Sequence, residues 1–311
     1  ALGIDWCLEL YPQQRRQILS ALCCLPLQAL ILNFPKCSQR NQYQSVDTMR
    51  ASFLSLPPRS ALFISGDLPA GVADYLRYVK GEFTKAVIIY PGLTSAPWYL
   101  DRLPAGVALA ASRAGGTDPR RFNDAIMKHL RARGWDIYSF TLDGTLEGFL
   151  VPEGMSLRVY PDEQQARNDT TQNSRLERIF QILEESPRRG AFKLDWRQNF
   201  WTRYCLTRWV DAYTSLAKAF SKTNPKLAIE AFSRVIDMQE SVDPVLYAQR
   251  ADLYLQIKEY HKAVSDFRVV LREVENSRTA LGGLIVCYRA LGDQSKARRY
   301  EAQLESLPAT R

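Results

Sequence analysis

The chain is short of the residues on which most enzymatic chemistry depends. It carries two histidines in 311 residues, His129 and His261, and both lie far from any cysteine in sequence. Its six cysteines are Cys7, Cys23, Cys24, Cys37, Cys205 and Cys287; no C-x-x-C occurs and four of the six crowd the first 40 positions. Zinc-ligand spacing is therefore absent and a disulfide framework is not expected. No metal site is expected. There is no G-x-S-x-G elbow, which removes the α/β-hydrolase reading invited by "YPGLTSAPW" (90–98). His129 falls inside the helical pattern "IMKHLRARG", where a surface histidine is expected.

The stretch "FISGDLPAGVADYL" (63–76) has the strand, loop and helix order of a phosphate cradle. Gly66 and Gly71 have the right separation, but Val72 and Ala73 stand where Lys and Ser/Thr would be needed, and no G-x-G-x-x-G occurs. Asp67 would also set a negative charge against a phosphate. The nucleotide reading fails, and a strand-end Asp that caps a helix or binds a side chain fits better. Nucleic acid is not expected as a partner either. The formal charge is +8, but the 41 Lys and Arg are scattered among 33 Asp and Glu rather than gathered on one face.

What is present begins with a long apolar run. From Gln17 to Pro35, "QILSALCCLPLQALILNFP", 19 residues carry no charge. As a helix they would reach ~28 Å, close to a bilayer's hydrocarbon thickness. A buried soluble helix and a signal peptide are the competing readings; the lack of a polar face and of a small-residue cleavage site favours a transmembrane helix at 17–35. Residues 1–16 are then a loop, or the start of a fragment, since Ala1 is not an initiator Met. Arg15-Arg16 lean the orientation toward a chain that is extracytoplasmic after about residue 36.

Residues 45–165 predict a small α/β domain with a mostly parallel sheet. Strands are expected at "SALFIS" (60–65), "KAVIIYPG" (85–92) and "WDIYSFTLDG" (135–144). Helices are expected at 71–81, 96–103 and 118–134, the last with an Asp-Pro start and a Gly stop, and "GFLVPEGMSLRVYP" (148–161) reads as a hairpin. Residues 166–206 are read as a helical connector.

Residues 207–306 carry a repeat of about 34 residues, the tetratricopeptide period. Tyr247, Ala251, Tyr254, Ala263 and Phe267 define one copy; Leu281, Ile285, Tyr288 and Ala297 follow in the next. Tyr213, Ala217, Phe220, Ala228 and Phe232 give an earlier copy, one residue shorter at its inner turn. Small residues let paired helices approach and aromatics fill the space between pairs, so three such units can stack. The array is expected either to hold a protein or peptide in its groove or to brace the preceding domain.

Residues 55–103, "SLPPRSALFISGDLPAGVADYLRYVKGEFTKAVIIYPGLTSAPWYLDRL", are similar to the extramembrane start in a family of polytopic membrane proteins. The likeness rests on Gly66-Asp67, Tyr75, Tyr78, Gly81, "KAVIIY", Trp98-Tyr99 and Leu103. Farther on, Glu153, Gly154, Arg158 and Pro161 resemble the family's "EG…YR…P" hairpin. The family is of the GT-C glycosyltransferase type and includes vertebrate O-mannosyltransferases acting on plexins; several members end in tetratricopeptide repeats. The resemblance implies an extracytoplasmic enzyme using a lipid-linked sugar donor. The family's acidic Gly-Gly-Asp-Ser-Gly-Glu-like loop has no counterpart here, so no catalytic residue is assigned and this chain alone is expected to be inactive, with no cofactor of its own. Asp67, Trp98 and Tyr99 are the candidates for shaping an acceptor groove near the membrane, against a plain structural role in the core and as a cap. The rival reading is a membrane-anchored repeat scaffold with no transferase activity.

Overall fold

The computed structural model describes residues 43–189 and 200–308, apart from the isolated Gln13 and Gln28. The expected transmembrane segment 17–35 lies outside the described residues; among these, no helix is long and apolar enough to cross a membrane. The chain alternates helix and strand through its first half. Helix α1 (Gln44–Ser55) precedes β1 (Ser60–Phe63), α2 (Asp67–Asp74) and a π-helical turn (Tyr75–Val79). Then come β2 (Val87–Ile89), the short α3 (Pro97–Leu100), α4 (Ala105–Ala114), α5 (Pro119–Arg131) and β3 (Asp136–Ser139). The hairpin β4 (Phe149–Glu153) and β5 (Ser156–Tyr160) closes the sheet, followed by α6 (Glu163–Arg167) and α7 (Gln172–Glu185).

The strand order is β2-β1-β3-β5-β4. β1 pairs in parallel with β2 and β3, while β5 pairs antiparallel with both β3 and β4. The sheet is thus mixed rather than mostly parallel, because the hairpin joins it through β5 instead of standing apart. Alternate residues point to opposite faces. Ala61, Phe63, Val87, Ile89 and Ile137 meet Phe122, Ile126, Met127 and Leu130 of α5 on one face. Leu62, Ile64, Ile88, Tyr138 and Phe140 meet Met49, Phe53, Ala73 and Leu76 on the other. Both faces being covered explains why the parallel strands read as unbroken apolar runs.

α5 starts as its sequence indicates: the Asp118 carboxylate accepts from the Arg120 N–H at 3.0 Å, and Pro119 fills the first helical position. α2 begins at Asp67, earlier than expected, because Pro69 falls in the first turn, where its missing N–H has no intrahelical partner to lose. α1 and α4 were not anticipated. Their sequences, "QSVDTMRASFLS" and "AGVALAASRA", offer few bulky residues at helical spacing.

The second half is a row of helix hairpins. α8 (Phe200–Thr223) pairs with α9 (Pro225–Met238), α10 (Pro244–Gln256) with α11 (Tyr260–Glu273), and α12 (Arg278–Ala290) with α13 (Gln294–Glu305). This repeat-like arrangement is compatible with the tetratricopeptide reading. The inner turns of the second and third hairpins share left-handed residues one period apart, Lys258 (φ 62°) and Gly292 (φ 78°). The described residues from Tyr43 onward belong to one compact unit, and the α/β part and the helix row share a core in which Ala51 and Met155 join Trp209, Tyr213 and Phe232. Gly283 marks a close approach of α12 to α11: a Cβ there would sit 2.3 Å from the Phe267 ring. Gly283→Leu is expected to destabilise the chain by roughly 1–3 kcal/mol through overpacking. Denaturant titration reads it, and an unchanged midpoint would mean that α11 and α12 do not close on each other this way.

Candidate functional site

The three residues singled out for an acceptor groove do not assemble into one site. Asp67 is the first residue of α2; it is exposed and makes no hydrogen bond among the described residues, so it does not cap through its side chain. Its charge sits at the helix's positive end, which favours it modestly. Tyr99 is buried. Its hydroxyl accepts from the Tyr90 N–H at 2.7 Å, and burial pushes its pKa up to about 12. Trp98 is 54% exposed, stands edge-on to Tyr99, and carries the Arg102 guanidinium 5.3 Å above its ring. Tyr99 is thus a core residue and Trp98 a surface one.

In doubly wound sheets ligands bind where the strand order reverses, beyond the carboxyl ends of the strands. Here that place lies past β1 and β3, and the chain fills it with its own side chains. The Ser65 hydroxyl donates to Asp143, whose other oxygen accepts from the Thr145 N–H at 2.8 Å and hydroxyl at 2.6 Å. Asn123 joins Thr145 and Thr94, each at 2.9 Å. Burial raises the Asp143 pKa, but these hydroxyl and N–H donors outweigh it and hold the carboxyl below its ordinary range. The network is closed on itself.

The hairpin residues that carry the family resemblance build a second network. Glu153 is buried and receives the Arg175 guanidinium in a two-pronged contact at 2.7 and 3.0 Å, with the Tyr138 hydroxyl donating at 2.9 Å. Arg175 also meets Asp169 at 2.8 Å, and Asp169 accepts from the Tyr160 hydroxyl at 2.7 Å. Arg158 pairs with Asp136 at 2.6 Å and Asp169 at 3.2 Å, its guanidinium 4.9 Å over Tyr160. Gly154 turns the hairpin at φ 64°, and a Cβ there would strike Ile179 of α7 at 2.4 Å. A cavity of about 420 Å³ opens beside Asp136, Arg158 and Asp169, with Arg131 on its wall. The acids and arginines are paired with one another, although Nη1 of Arg158, 3.2 Å from Asp169, is enclosed and makes no hydrogen bond among the described residues, and the arrangement braces α7 on the sheet.

The repeat residues face inward. Tyr213, Ala217 and Phe232 lie in one core with α7, and the Tyr213 hydroxyl donates to Glu184 at 2.7 Å. Ala251, Ala263, Phe267, Tyr288 and Ala297 lie in the next core. Tyr247 and Tyr254 are partly buried against it, with the Arg250 guanidinium over both rings and paired to Asp266 at 2.8 Å. Cys205 and Cys287 are free and buried; burial raises both thiols, Cys287 to about 11. Among the described residues no group of His, Cys, Asp and Glu is placed to hold a metal ion.

Sequence reasoning missed a groove between the β4–β5 hairpin and α8, lined in part by Arg208 and Lys218. On α8 alone these read as an ordinary solvated face, and only the folded hairpin turns them into a wall. No family model, curated protein or solved structure matches this chain.

Removing Arg175 with Arg175→Met leaves Glu153 buried without its cation, which is expected to cost about 3 kcal/mol or more. For Asp169, burial raises the pKa, but hydrogen bonds from Arg175, Thr171 and Tyr160 hold the carboxyl far below its ordinary range. Its contribution is therefore full above pH about 4, the unfolded value, and is lost as pH falls further. Asp169→Asn should lower stability at pH 7 and flatten the acid limb of the stability profile; an acid limb parallel to that of the parent would show that Asp169 is not held this way.

Proposed function

We propose that this chain holds an extended segment of a protein partner along the first-helix row of its repeats, as the extracytoplasmic, acceptor-positioning part of a membrane glycosyltransferase. The observation that carries the reading is a stripe of open positions repeated at the tetratricopeptide period. Asp211, Thr214 and Lys218 on α8 correspond to Val245, Ala248 and Asp252 on α10 and to Thr279, Gly282 and Val286 on α12. All nine positions retain solvent access, while the packing positions between them, such as Ala217, Ala251 and Ile285, are closed. Val245 and Val286 leave 59% and 52% of their surface exposed, where a folded chain standing alone gains nothing from a valine.

The enzymatic setting is supported by the resemblance in residues 55–103 and 149–161. In that setting the lipid-linked sugar donor and the transfer step belong to another part of the enzyme, and this chain supplies the acceptor. The rival scaffold reading draws on the same stripe and on the pairing of Glu153 with Arg175 and of Arg158 with Asp136 and Asp169, which occupies the hairpin's charges.

The double substitution Val245→Asp and Val286→Asp sits on the surface, so stability should change by less than about 1 kcal/mol. Binding of peptides selected from a random library against the parent chain should fall by tenfold or more. Peptides that bind both forms equally would remove the stripe from consideration. In membranes holding the intact protein, the same pair should slow sugar transfer to a protein acceptor without slowing donor hydrolysis; if no transfer occurs in any form of the protein, the scaffold reading replaces the enzyme.

A further inference from the structure

The first helix of the row lies beside a groove that the repeats alone would not make. It encloses about 460 Å³, with Leu142, Leu150 and Leu157 on one side and Arg208, Asp211 and Lys218 on α8. Leu142 is 82% exposed, so the apolar side is open to an incoming group. Arg208 is the unusual member. Its Nη2 donates to the main-chain carbonyls of Phe140, at 2.6 Å, and Met155. Its Nε is enclosed and has no partner among the described residues. Among the described residues Nη1 makes no hydrogen bond and the guanidinium forms no ion pair. The neighbouring Thr141 hydroxyl is likewise enclosed and unpartnered.

A half-buried guanidinium with no ion pair among the described residues is costly, and proteins ordinarily place a carboxylate directly against it, as Asp266 stands against Arg250 in this chain. Asp211, one turn along, makes no ion pair with Arg208; burial lowers the arginine's pKa and raises that of the aspartate. Lys218 lies farther along the same wall, exposed and unpaired. The lining therefore has one positive charge in excess, beside an apolar surface. A single carboxylate matches that excess, while a doubly charged phosphate would leave a surplus negative charge next to Asp211.

We propose that this groove binds the carboxylate of an acidic residue flanked by apolar side chains, with Arg208 as its main contact, Lys218 as the second, and the leucines receiving the neighbours. The proposal rests on the reading of the helix row as a holder of an extended segment, and it names the chemistry of that segment at one point.

The test uses the full chain in lipid nanodiscs and four probes: a capped Leu-Leu-Glu-Leu-Leu peptide with a fluorophore, its Gln counterpart, its phosphoserine counterpart, and laurate. The Glu peptide should bind roughly tenfold more tightly than the Gln peptide, with the difference shrinking at high salt. Arg208→Met should erase the preference. Because that variant can lose its fold, Lys218→Glu, at an exposed position, decides independently: it should weaken the Glu peptide severalfold and leave the Gln peptide unchanged. Equal binding of Glu and Gln, tighter binding of phosphoserine, binding of laurate in place of peptide, or no peptide binding each overturns the proposal. The two readings separate cleanly. If Val245→Asp with Val286→Asp weakens library peptides while Glu and Gln remain equivalent, the row stands and the carboxylate site falls. If only Lys218→Glu acts, the carboxylate site stands beside α8 and the extension of the row over α10 and α12 falls.

Discussion

The structure depends on one helix being buried on nearly every side. α1 gives Met49 and Phe53 to the sheet and Ala51 to the core of the helix row. Several of its polar residues are buried as well, and Asp47, Thr48 and Ser52 each meet a distant partner. Asp47 takes the Arg189 side chain and N–H, Thr48 accepts from the Trp209 indole at 3.0 Å, and Ser52 meets Ser156 at 2.8 Å. Arg50 reaches Glu82 with two hydrogen bonds of 2.8 Å. A helix of this composition gains little from apolar burial alone; its position is specified by hydrogen bonds that are strong only where water is absent. Sheet and helix row are one unit because both are built onto it.

α7 is the second fastening. Its apolar side, with Phe180 edge-on to Tyr213 and Phe220, continues the helix row backward by one member. From the flank of that side Arg175 reaches Glu153 of the hairpin and Asp169 in the turn between α6 and α7. Glu153 and Gly154, which look like a family signature in the sequence, thus acquire a structural explanation: the carboxylate anchors the arginine and the missing side chain admits Ile179.

What could be read from the sequence follows from how local each signal is. The hairpins of the helix row were legible because their determinants lie within one period: small residues at Ala217, Ala251 and Ala263, and helix starts at Asn224-Pro225 and Asp243-Pro244. Strands β1 to β3 were legible as short apolar runs. α1 was not, because a polar helix facing polar partners more than a hundred residues away has no periodic signature. The groove at Arg208 was not, because its two walls come from residues 142–157 and 208–218 and neither is distinctive alone. Asp67, Trp98 and Tyr99 were grouped by the resemblance in residues 55–103 rather than by any local signal; the fold points Tyr99 inward and leaves Trp98 and Asp67 outside.

The reach of the α1 contacts bears on how the chain is made. Thr48 waits for Trp209, 161 residues later, and Asp47 for Arg189, 142 residues later. At ribosomal speed that delay is on the order of ten seconds, far longer than a helix or a short hairpin needs to form. Once β5 has been made, the nascent α/β half has its strands and the Glu82 and Ser156 partners of α1, but Asp47 and Thr48 still stand open to water. The helix row, with its near-neighbour contacts, is in the opposite position and can close as each pair emerges. The last-made half thereby completes the first, and a ribosome stalled between residues 165 and 188 leaves a sheet whose α1 still lacks the partners of Asp47 and Thr48.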